Sequence, residues 1–441
     1  MASPTPRLLS LPFSYPDYPR ADVERLASAS ARALAAMGLD VVAAPPVVVP
    51  GDVEPAVSLL QRERYDAIAV VLVSWVEAPL LVSTLRPFRH VPMLLWSHTT
   101  YMDGEDRVTL GALPAAGVIL ETMEEMGFQF HFVWGMPDEA PATRMLPYVR
   151  AAATASALAR ARIGLFGYAS MGMYTGTIDH TQLRAQIGPE LDHLDQYAIV
   201  ERMEHVTSAD VQPLLPKAQG WALGAAVGPA DIERVLRMYL AIKGLAQENR
   251  YDVLTVKCQY ELSRLYGLAP CLPLSLLADE MVSSCEGDVP LAVSQLILHY
   301  LTGDPTSYGD LHHVTETEVL FAACGFAPLS YAAGAPVINK HTALYEGLLN
   351  SSPYKKGFIT LARLGAKGGG FKMHIAAGEA VTPPRFHEVG CPAYAGTLVR
   401  LDGDPDAFVR SVFSQHYAIA YGDVRAELRA LCALLGVTVV E

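Results

Sequence analysis

The N-terminal third of this 441-residue chain alternates between apolar segments of strand length and amphipathic segments of helix length. Residues 8–11, 66–73 and 92–96 are predicted strands, and the last two are apolar on both faces, as in parallel sheets. Residues 22–37 and 110–126 are predicted helices, each ended by a glycine. This alternation constrains the fold strongly, because parallel strands are joined by helices that cover the faces of their sheet.

A second series of the same kind follows. Residues 163–166 and 251–257 are predicted strands, and residues 232–247 form a long predicted helix between them. Residues 145–162 are an Ala-rich predicted helix that could bridge the two series. The repetition predicts a second parallel sheet with its own helices.

Beyond residue 310 the pattern changes. Residues 315–320, 357–364, 371–376 and 394–401 are predicted strands separated by turns rich in Gly and Pro, and a helix and a strand close the chain. Such a series favours an antiparallel or barrel-like sheet.

These three patterns predict an α/β protein with three domains, which agrees with the chain length. Residues 1–155 and 156–305 are predicted to form two Rossmann-like, doubly wound α/β domains. Residues 306–441 are predicted to form a mainly antiparallel, barrel-like C-terminal domain.

The composition narrows the class of protein. The chain is 51% hydrophobic and 18% charged, which indicates large cores. The net charge of −13, with no run rich in Lys or Arg, argues against nucleic-acid and membrane partners. No signal peptide is recognisable, no apolar run is long enough to span a bilayer, and six scattered cysteines form no CxxC pair. We therefore expect reduced thiols and a cytoplasmic protein.

Two acidic residues flank one apolar helix-like segment, residues 289–301. Glu286 precedes it and Asp310 follows it, each in a predicted Gly-flanked turn, while Asp288 is the predicted N-cap of the helix. Two like charges placed together are costly unless a cation or a proton is shared between them. The pair is therefore a candidate metal or acid–base site, and the alternative is that both are ordinary turn residues.

His416 is a third candidate, at the start of a predicted strand. Joined with Glu286 and Asp310 it would give two oxygen ligands and one nitrogen ligand, with positions left open for substrate or water. Such a set suits Mn²⁺ or another divalent cation. The alternative is a hydrogen-bonded core or surface histidine.

The string CEGD…LTGDPTSYGD, followed much later by SQHYAIAYGDVRAELRALCALLGV, resembles the metal site of the L-fucose isomerase / L-arabinose isomerase superfamily. It is most similar to the fucose isomerase branch, although this chain is shorter. The resemblance implies that Glu286, Asp310 and His416 bind a divalent metal, usually Mn²⁺. It also implies an aldose–ketose isomerase, and we expect the substrate to be a pentose or 6-deoxyhexose (a sugar like L-fucose, D-arabinose or L-arabinose). Our hypothesis is that Glu286 and Asp310 form the acid–base pair, with His416 as an anchor for the metal.

Other segments resemble the family more loosely. Ser170 and Met171 resemble a loop beside the substrate, Trp75 a tryptophan supplied to a neighbouring subunit's active site, and Gln259 and Glu261 part of the pocket wall. These would be substrate-binding residues. The resemblance further implies a homo-oligomer, a trimer or hexamer, with its active site at a subunit interface.

Two other functions remain open from the sequence. One is a non-catalytic sugar-binding protein, since two Rossmann-like domains also build sugar receptors. The other is a metal-dependent aldolase or dehydratase acting on a similar polyol. The identity of the sugar does not follow from the residues.

Overall fold

The computed structural model describes residues 5–139, 142–341, 346–367, 369–383 and 394–441. Within them the chain forms two compact units, residues 5–156 and 157–441. The elements of the first unit are β1 (Arg7–Phe13), α1 (Arg20–Ala36), β2 (Asp40–Ala43), α2 (Val53–Arg62), β3 (Ala67–Leu72), α3 (Ala78–Leu85), β4 (Met93–Ser97), β5 (Thr100–Asp103), β6 (Asp106–Thr109), α4 (Ala112–Glu125), β7 (Phe130–Trp134) and α5 (Ala142–Leu158).

The first unit is built on a parallel sheet with the strand order β2-β1-β3-β4-β7. This is one of the two common orders of doubly wound α/β folds. Strand β3 is buried along its whole length, which explains its uninterrupted apolar sequence. Strands β5 and β6 form a separate hairpin. The predicted strands and helices of this region are confirmed, with shifts of a few residues at their ends.

His98 is a buried titratable group of the first unit. Its Nε2–H donates to Ser30 Oγ at 2.8 Å, because the Ser30 hydroxyl itself donates to the Leu26 carbonyl. The other ring nitrogen, Nδ1, is buried without a hydrogen-bond partner. Burial lowers the pKa of His98 to about 4, because protonation would place a charged N–H where nothing accepts it.

We expect this histidine to make the first unit acid-sensitive. The unfolded chain takes up the proton near pH 6.5 and the folded unit only near pH 4, so stability falls as the pH is lowered through that interval, by about 3 kcal/mol in all. Urea unfolding followed by the fluorescence of Trp75, Trp96 and Trp134 measures this slope. It should flatten in His98→Gln and persist in His90→Gln, which alters an exposed histidine; an unchanged slope in His98→Gln would contradict the assignment.

The second unit begins with another series of strands and helices. Its elements are β8 (Arg162–Phe166), α6 (His180–Gln182), β9 (Glu190–Leu194), α7 (Tyr197–His205), α8 (Ser208–Val211), α9 (Leu215–Ala218), β10 (Ala222–Leu223), α10 (Pro229–Asn249), β11 (Val253–Val256), α11 (Cys271–Leu277), β12 (Val282–Cys285) and α12 (Val289–Thr302). Four of these strands form a parallel sheet in the order β12-β11-β8-β9. This order matches that of the first sheet without its fifth strand. The prediction of a second parallel sheet is confirmed.

The rest of the second unit is mainly antiparallel. Its elements are β13 (Ser307–Val314), β14 (Glu318–Ala323), β15 (Val337–Lys340), β16 (Leu348–Asn350), β17 (Gly357–Lys367), β18 (Gly370–Val381), β19 (Ala395–Leu401), α13 (Pro405–Arg410), β20 (His416–Tyr421), α14 (Arg425–Leu435) and β21 (Thr438–Val440). Six strands close a barrel in the order β17-β20-β13-β14-β19-β18, because β18 pairs again with β17. The prediction of a barrel-like antiparallel sheet is confirmed.

Two local predictions in this region are wrong. Asp310 lies inside strand β13 and not in a turn, and Thr315 lies in the turn between β13 and β14. The neighbouring Gly309 suggested a turn, but it serves close strand packing, since a Cβ there would lie 2.8 Å from the Cβ of Phe321. Strand pairing therefore overrides the local turn signal.

Helix α12 connects the parallel sheet to the barrel. It begins at Val289 as predicted, and Asp288 caps it by accepting the Leu291 N–H at 2.9 Å. The helix packs against β17 and β20, where the Leu364 N–H donates to Ser294 Oγ at 2.8 Å. Strand β10 also pairs with β15, so the two parts share a small sheet. The predicted domain division at residue 305 stays a prediction.

Two further predictions concern the environment of the protein. Among the described residues, no helix combines the length and apolar character needed to cross a membrane. Five cysteines are free thiols, as expected, and Cys391 lies outside the described residues. The cytoplasmic location stays a prediction.

Candidate functional site

The candidate site lies at the carboxyl edge of the second parallel sheet. Among the described residues, four non-glycine residues have left-handed φ angles, and three of them follow strands of this sheet: Met171 (52°), Tyr260 (71°) and Glu286 (65°). Such a conformation costs about 1–2 kcal/mol for an L-residue. Strained residues cluster at functional sites, and ligands of open α/β sheets bind at this edge.

The turn after β12 is held in close contact with the loop after β8. Glu286 accepts the Ser170 N–H through its backbone carbonyl at 2.8 Å. Gly287 permits the approach, since a Cβ at this position would lie 2.2 Å from the Tyr168 carbonyl oxygen. The glycine after Glu286 therefore allows the two loops to meet beside the glutamate.

His416 and Asp310 are brought together by the barrel. They are direct neighbours on the antiparallel strands β20 and β13. His416 Nε2 lies 3.1 Å from Asp310 Oδ1 and 3.6 Å from Glu286 Oε2. The two predicted carboxylate ligands therefore both lie close to Nε2 of the third predicted ligand, His416. Asp310 and His416 are nevertheless 106 positions apart in the sequence.

Asp288 fixes the orientation of His416 from behind. Its Oδ2 accepts the His416 Nδ1–H at 2.8 Å, which leaves Nε2 as the atom that faces Glu286 and Asp310. The same Oδ2 accepts an N–H of Arg363 at 2.8 Å, and a second N–H of Arg363 donates to the Thr175 carbonyl at 2.7 Å. Asp288 and Arg363 are fully buried, so this pair is shielded from solvent.

Burial and charge set the protonation of these groups. Burial, with repulsion from Asp310, raises the pKa of Glu286 to about 7 in spite of attraction to His416. Burial would raise the pKa of Asp288 too, but Arg363 and His416 lower it to about 2. Burial opposes the charging of His416, yet Asp310, Asp288 and Glu286 together raise its pKa well above the ordinary value. The site therefore favours positive charge at the point where the side chains meet.

The donor chemistry fits a divalent cation. When His416 is neutral, the carboxylates of Glu286, Asp310 and Asp288 carry three negative charges and Arg363 carries one positive charge. Two negative charges are then left without compensation. The 3.1 Å between Nε2 and Asp310 Oδ1 is close to the separation of about 3.0 Å between adjacent ligands of an octahedral ion with bonds of about 2.1 Å. The carboxylate on Nδ1 is the usual support for a metal-binding histidine.

The arrangement is not yet a formed metal site. Among the described residues, no group of three or more His, Cys, Asp or Glu side chains is placed so that it could hold a metal ion as it stands. His416 Nε2 contacts both carboxylates directly. A bound ion would therefore require these side chains to reorient around it.

The structure places the predicted substrate-binding residues in different environments. Gln259 is buried, contributes a hydrogen bond that lowers the pKa of Glu286, and leaves its own Oε1 without a partner. Ser170 is buried beside Glu286, and its hydroxyl has no partner either. Met171 is 59% exposed. Glu261 pairs with the Lys257 ammonium, and its side chain is 45% exposed.

Trp75 belongs to the first unit. It follows β3, is partly buried against the core of that unit, and donates its backbone N–H to the Leu110 carbonyl at 2.8 Å. Its predicted role in a neighbouring subunit's active site, within a trimer or hexamer, stays a prediction.

Three residues of the site were missed from the sequence. Arg363 and Asp288 form the buried support of His416, and Cys324 donates its Sγ–H to Glu286 Oε1 at 3.5 Å. An arginine inside an otherwise apolar strand was the available signal, because such a charge needs a buried partner. Cys324 gave no comparable signal.

Comparison with known proteins bears on the activity. The chain is 27% identical over 361 residues to a sulfoquinovose isomerase of Alkalicoccus urumqiensis, with 80% of each chain covered. It is 24% identical over 389 residues to the sulfoquinovose isomerase of Priestia aryabhattai, with 85% of each covered. It is 26% identical over 369 residues to that of Clostridium sp. strain MSTE9, covering 80% of this chain and 81% of the relative. No protein-family model matches the chain.

These similarities cover 80% or more of this chain. They confirm the predicted class of activity, an aldose–ketose sugar isomerase, which is an intramolecular oxidoreductase. The relatives are isomerases of sulfoquinovose by name. The resemblance to the fucose isomerase branch stays a prediction.

Proposed function

We propose that the protein is a metal-dependent aldose–ketose isomerase whose divalent cation, Mn²⁺ by preference, is held by Glu286, Asp310 and His416. The observation that carries this proposal is the convergence of both carboxylates on His416 Nε2 while Asp288 occupies Nδ1. A buried excess of negative charge is stable only with a compensating cation. The two parts of the second unit supply these residues from a turn and two strands.

The proposed reaction moves hydrogen between C1 and C2 of an open-chain sugar through an enediolate. The cation, when bound, polarises the carbonyl and stabilises the negative charge on the enediolate oxygens. Glu286 is 6% exposed, so a proton that it removes from C2 is shielded from water until it returns to C1. The Asp310 side chain is 21% exposed, which suits it to exchange the hydroxyl proton.

The buried polar groups that lack hydrogen-bond partners would bind the sugar. The Gln259 carbonyl oxygen and the Ser170 hydroxyl are buried beside Glu286 and lack hydrogen-bond partners. Sugar hydroxyls supply both donors and acceptors, and binding would satisfy both groups. Glu261 is engaged by Lys257, so we assign it a place at the mouth of the pocket.

For the substrate we propose sulfoquinovose, a sulfonated hexose. The proposal rests on the relatives, which are named for this sugar and match four-fifths or more of the chain. The pentoses and 6-deoxyhexoses predicted from the fucose isomerase resemblance are the competing substrates. A panel of sulfoquinovose, L-fucose, D-arabinose and L-arabinose, each incubated with the Mn²⁺-loaded protein, decides between them by ketose formation. The highest kcat/KM should fall on sulfoquinovose; a higher value for L-fucose or either arabinose would overturn the substrate assignment.

The same panel separates the alternative functions. Binding without any ketose product would identify a sugar-binding protein, and release of a cleaved or dehydrated product would identify an aldolase or dehydratase. Either outcome would reject the isomerase proposal.

Removal of the cation gives a further prediction. Treatment with EDTA followed by dialysis should lower ketose formation by more than about 100-fold, because the enediolate charge is then uncompensated. Adding Mn²⁺ should restore the rate. Full activity in protein whose metal content is shown to be negligible would reject metal dependence.

A further inference from the structure

A buried lysine lies at the same carboxyl edge of the second parallel sheet as the candidate site. Lys257 directly follows β11, and its side chain is 1% exposed. Its backbone N–H donates to the Phe166 carbonyl at 3.0 Å. Gly167 brings the loop after β8 against it, since a Cβ on Gly167 would lie 3.1 Å from the Cβ of Lys257. A charged group with so little exposure needs a partner, so its surroundings indicate what it can bind.

The ammonium of Lys257 is held by aromatic side chains and by one carboxylate. It donates to the Tyr168 hydroxyl at 3.0 Å and lies 4.2 Å from the centre of the Tyr168 ring. The centre of the Tyr260 ring lies 5.5 Å away. Its ionic partner is Glu261, whose side chain is 45% exposed. The cation of this pair is therefore buried against aromatic rings, and its anion is on the solvent side.

Tyr168 connects this lysine with the turn that carries the candidate acid–base residue. A Cβ on Gly287 would lie 2.2 Å from the Tyr168 carbonyl oxygen, and the Ser170 N–H donates to the Glu286 carbonyl at 2.8 Å. The backbone of Tyr168 thus lies against that turn, while its hydroxyl lies at the ammonium of Lys257. The length of one tyrosine side chain, comparable with that of an open-chain hexose, separates the turn from the ammonium.

The charge at this point favours an anionic group on the substrate. Arg264 lies 5.2 Å from the centre of the Tyr260 ring, so a second cation borders the pair of Lys257 and Glu261. The uncharged hydroxyl and methyl groups of a pentose or 6-deoxyhexose cannot replace a carboxylate beside a buried ammonium. A sulfonate can replace it, because its oxygens accept charge-assisted hydrogen bonds and carry a full negative charge.

The segment that carries Glu261 has the backbone features of a functional loop. Tyr260 has a φ angle of 71°, and Glu261–Tyr266 form a π-helical turn. Strained residues and π-helical turns are both frequent at functional sites. Because the Glu261 side chain is partly exposed, rotation of its side chain alone would take the carboxylate into solvent.

We propose that Lys257 binds the sulfonate at C6 of the sugar and that Glu261 yields its place to this group. The sulfonate takes over the ion pair and the Glu261 carboxylate turns into solvent, so the buried ammonium keeps a negative partner throughout. The sugar then lies with C1 and C2 at Glu286 and with C6 at Lys257. The identity of the sugar rests on the proposed function, whereas an anion site at Lys257 does not.

Isothermal titration calorimetry with two alditols tests the site without turnover. Reduction at C1 converts sulfoquinovose, and quinovose (the same sugar without the sulfonate), into alditols that cannot be isomerised. The Mn²⁺-loaded wild type should bind the sulfonated alditol at least about 10-fold more tightly than the neutral one. Lys257→Met should lose this difference and Lys257→Arg should keep most of it. Equal affinity of Lys257→Met and the wild type for the sulfonated alditol would overturn the proposal.

A second lysine of the same unit provides the matched control. Lys243 on α10 is paired with Glu280 at 2.5 Å. Lys243→Met removes the charge of this pair in the same way and should bind both alditols as the wild type does. An equal loss of affinity for the sulfonated alditol in Lys243→Met and Lys257→Met would mean that Lys257 has no specific role.

Glu261→Gln distinguishes sulfonate binding from a purely structural ion pair. Removal of the competing carboxylate should tighten binding of the sulfonated alditol at least about threefold and leave the neutral alditol within about twofold of the wild type. A structural ion pair would instead make both alditols bind more weakly. Weaker binding of the sulfonated alditol by Glu261→Gln would therefore contradict the proposal, and this variant decides the matter if Lys257→Met does not fold.

Turnover separates the sulfonate site from the proposed isomerase activity. In Lys257→Met the KM for sulfoquinovose should rise at least about 10-fold with little change in kcat, because the lost contact is remote from C1 and C2. Ketose formation with an unchanged KM in this variant would overturn the sulfonate site and leave the isomerase in place. Binding of the sulfonated alditol that depends on Lys257, without any ketose formation by the wild type, would overturn the isomerase and support the site.

Discussion

Replacing Glu286 by Gln is expected to reduce ketose formation by about 10²–10⁴-fold, the usual contribution of a general acid–base group. The substitution keeps the size and the hydrogen-bonding outline of the side chain and removes its charge. Glutamate and glutamine both carry a Cβ, so the substitution does not change the energetic cost of the left-handed backbone conformation at this position. The expected loss therefore reports on the carboxylate and not on the turn.

The stability of Glu286→Gln should not fall. Burial, with repulsion from Asp310, raises the pKa of Glu286 and so disfavours its ionised form in the metal-free protein. The melting temperature of the metal-free variant should therefore equal or exceed that of the wild type. Glu318→Gln, on strand β14 and paired with Arg400, is the matched control and should retain activity. Ketose formation at the wild-type rate by Glu286→Gln would end the proposed mechanism.

Replacing Arg363 by Met is expected to destabilise the second unit by about 3–5 kcal/mol, since the buried Asp288 carboxylate loses the guanidinium that, together with His416, holds it ionised. Arg363 and Asp288 are both fully buried, 2.8 Å apart. The Thr175 carbonyl also loses a donor. For a unit of this size the loss corresponds to a fall in melting temperature of about 5–15 °C.

An exposed ion pair of the same barrel provides the control. Arg400 pairs with Glu318 at 2.9 Å, and its side chain is 65% exposed. Arg400→Met should therefore cost less than about 1 kcal/mol. The double variant Arg363→Met/Asp288→Asn should recover part of the lost stability, because it removes the unpaired charge. Thermal melts of the metal-free proteins, followed by circular dichroism, make the comparison; equal effects of the two arginine variants would show that the buried pair has no special role.

Much of the architecture could be predicted because it depends on local patterns. The two series of strands and helices predicted both parallel sheets, and the apolar run after Asp288 predicted helix α12 with its N-cap. The position of Asp310 could not be obtained in this way. Gly309 is typical of a turn, and only the packing of β13 against Phe321 shows that it belongs to a strand.

The convergence of three candidate residues could be predicted from the sequence, whereas the groups that support them could not. Glu286, Asp310 and His416 were found from charge, position and family resemblance, and the structure brings them together. Asp288 already had a sufficient local explanation as a helix cap, so its contact with His416 was hidden. Arg363 comes from a strand 75 residues further on, and no local pattern connects it with Asp288.

The identity of the sugar substrate does not follow from the residues of the candidate metal site. The residues quoted for the fucose isomerase resemblance concern the shared chemistry at C1 and C2, which does not distinguish one aldose from another. Ser170 and Gln259, which we propose bind the sugar, lie on loops after strands β8 and β11, where sequence patterns are weakest. The relatives named for sulfoquinovose therefore guide the substrate proposal more directly than the metal-site motif does.

Direct measurement of bound Mn²⁺ is the most direct test of the proposed metal site. Metal-free wild-type protein, Asp310→Asn and Glu318→Gln are each equilibrated with Mn²⁺, and free and bound ion are distinguished by electron paramagnetic resonance. The wild type and Glu318→Gln should each bind one ion per chain, and Asp310→Asn should bind at least about 10-fold more weakly, since it loses an anionic ligand. Equal binding by Asp310→Asn and the wild type, or no binding by the wild type, would contradict a cation held by Glu286, Asp310 and His416.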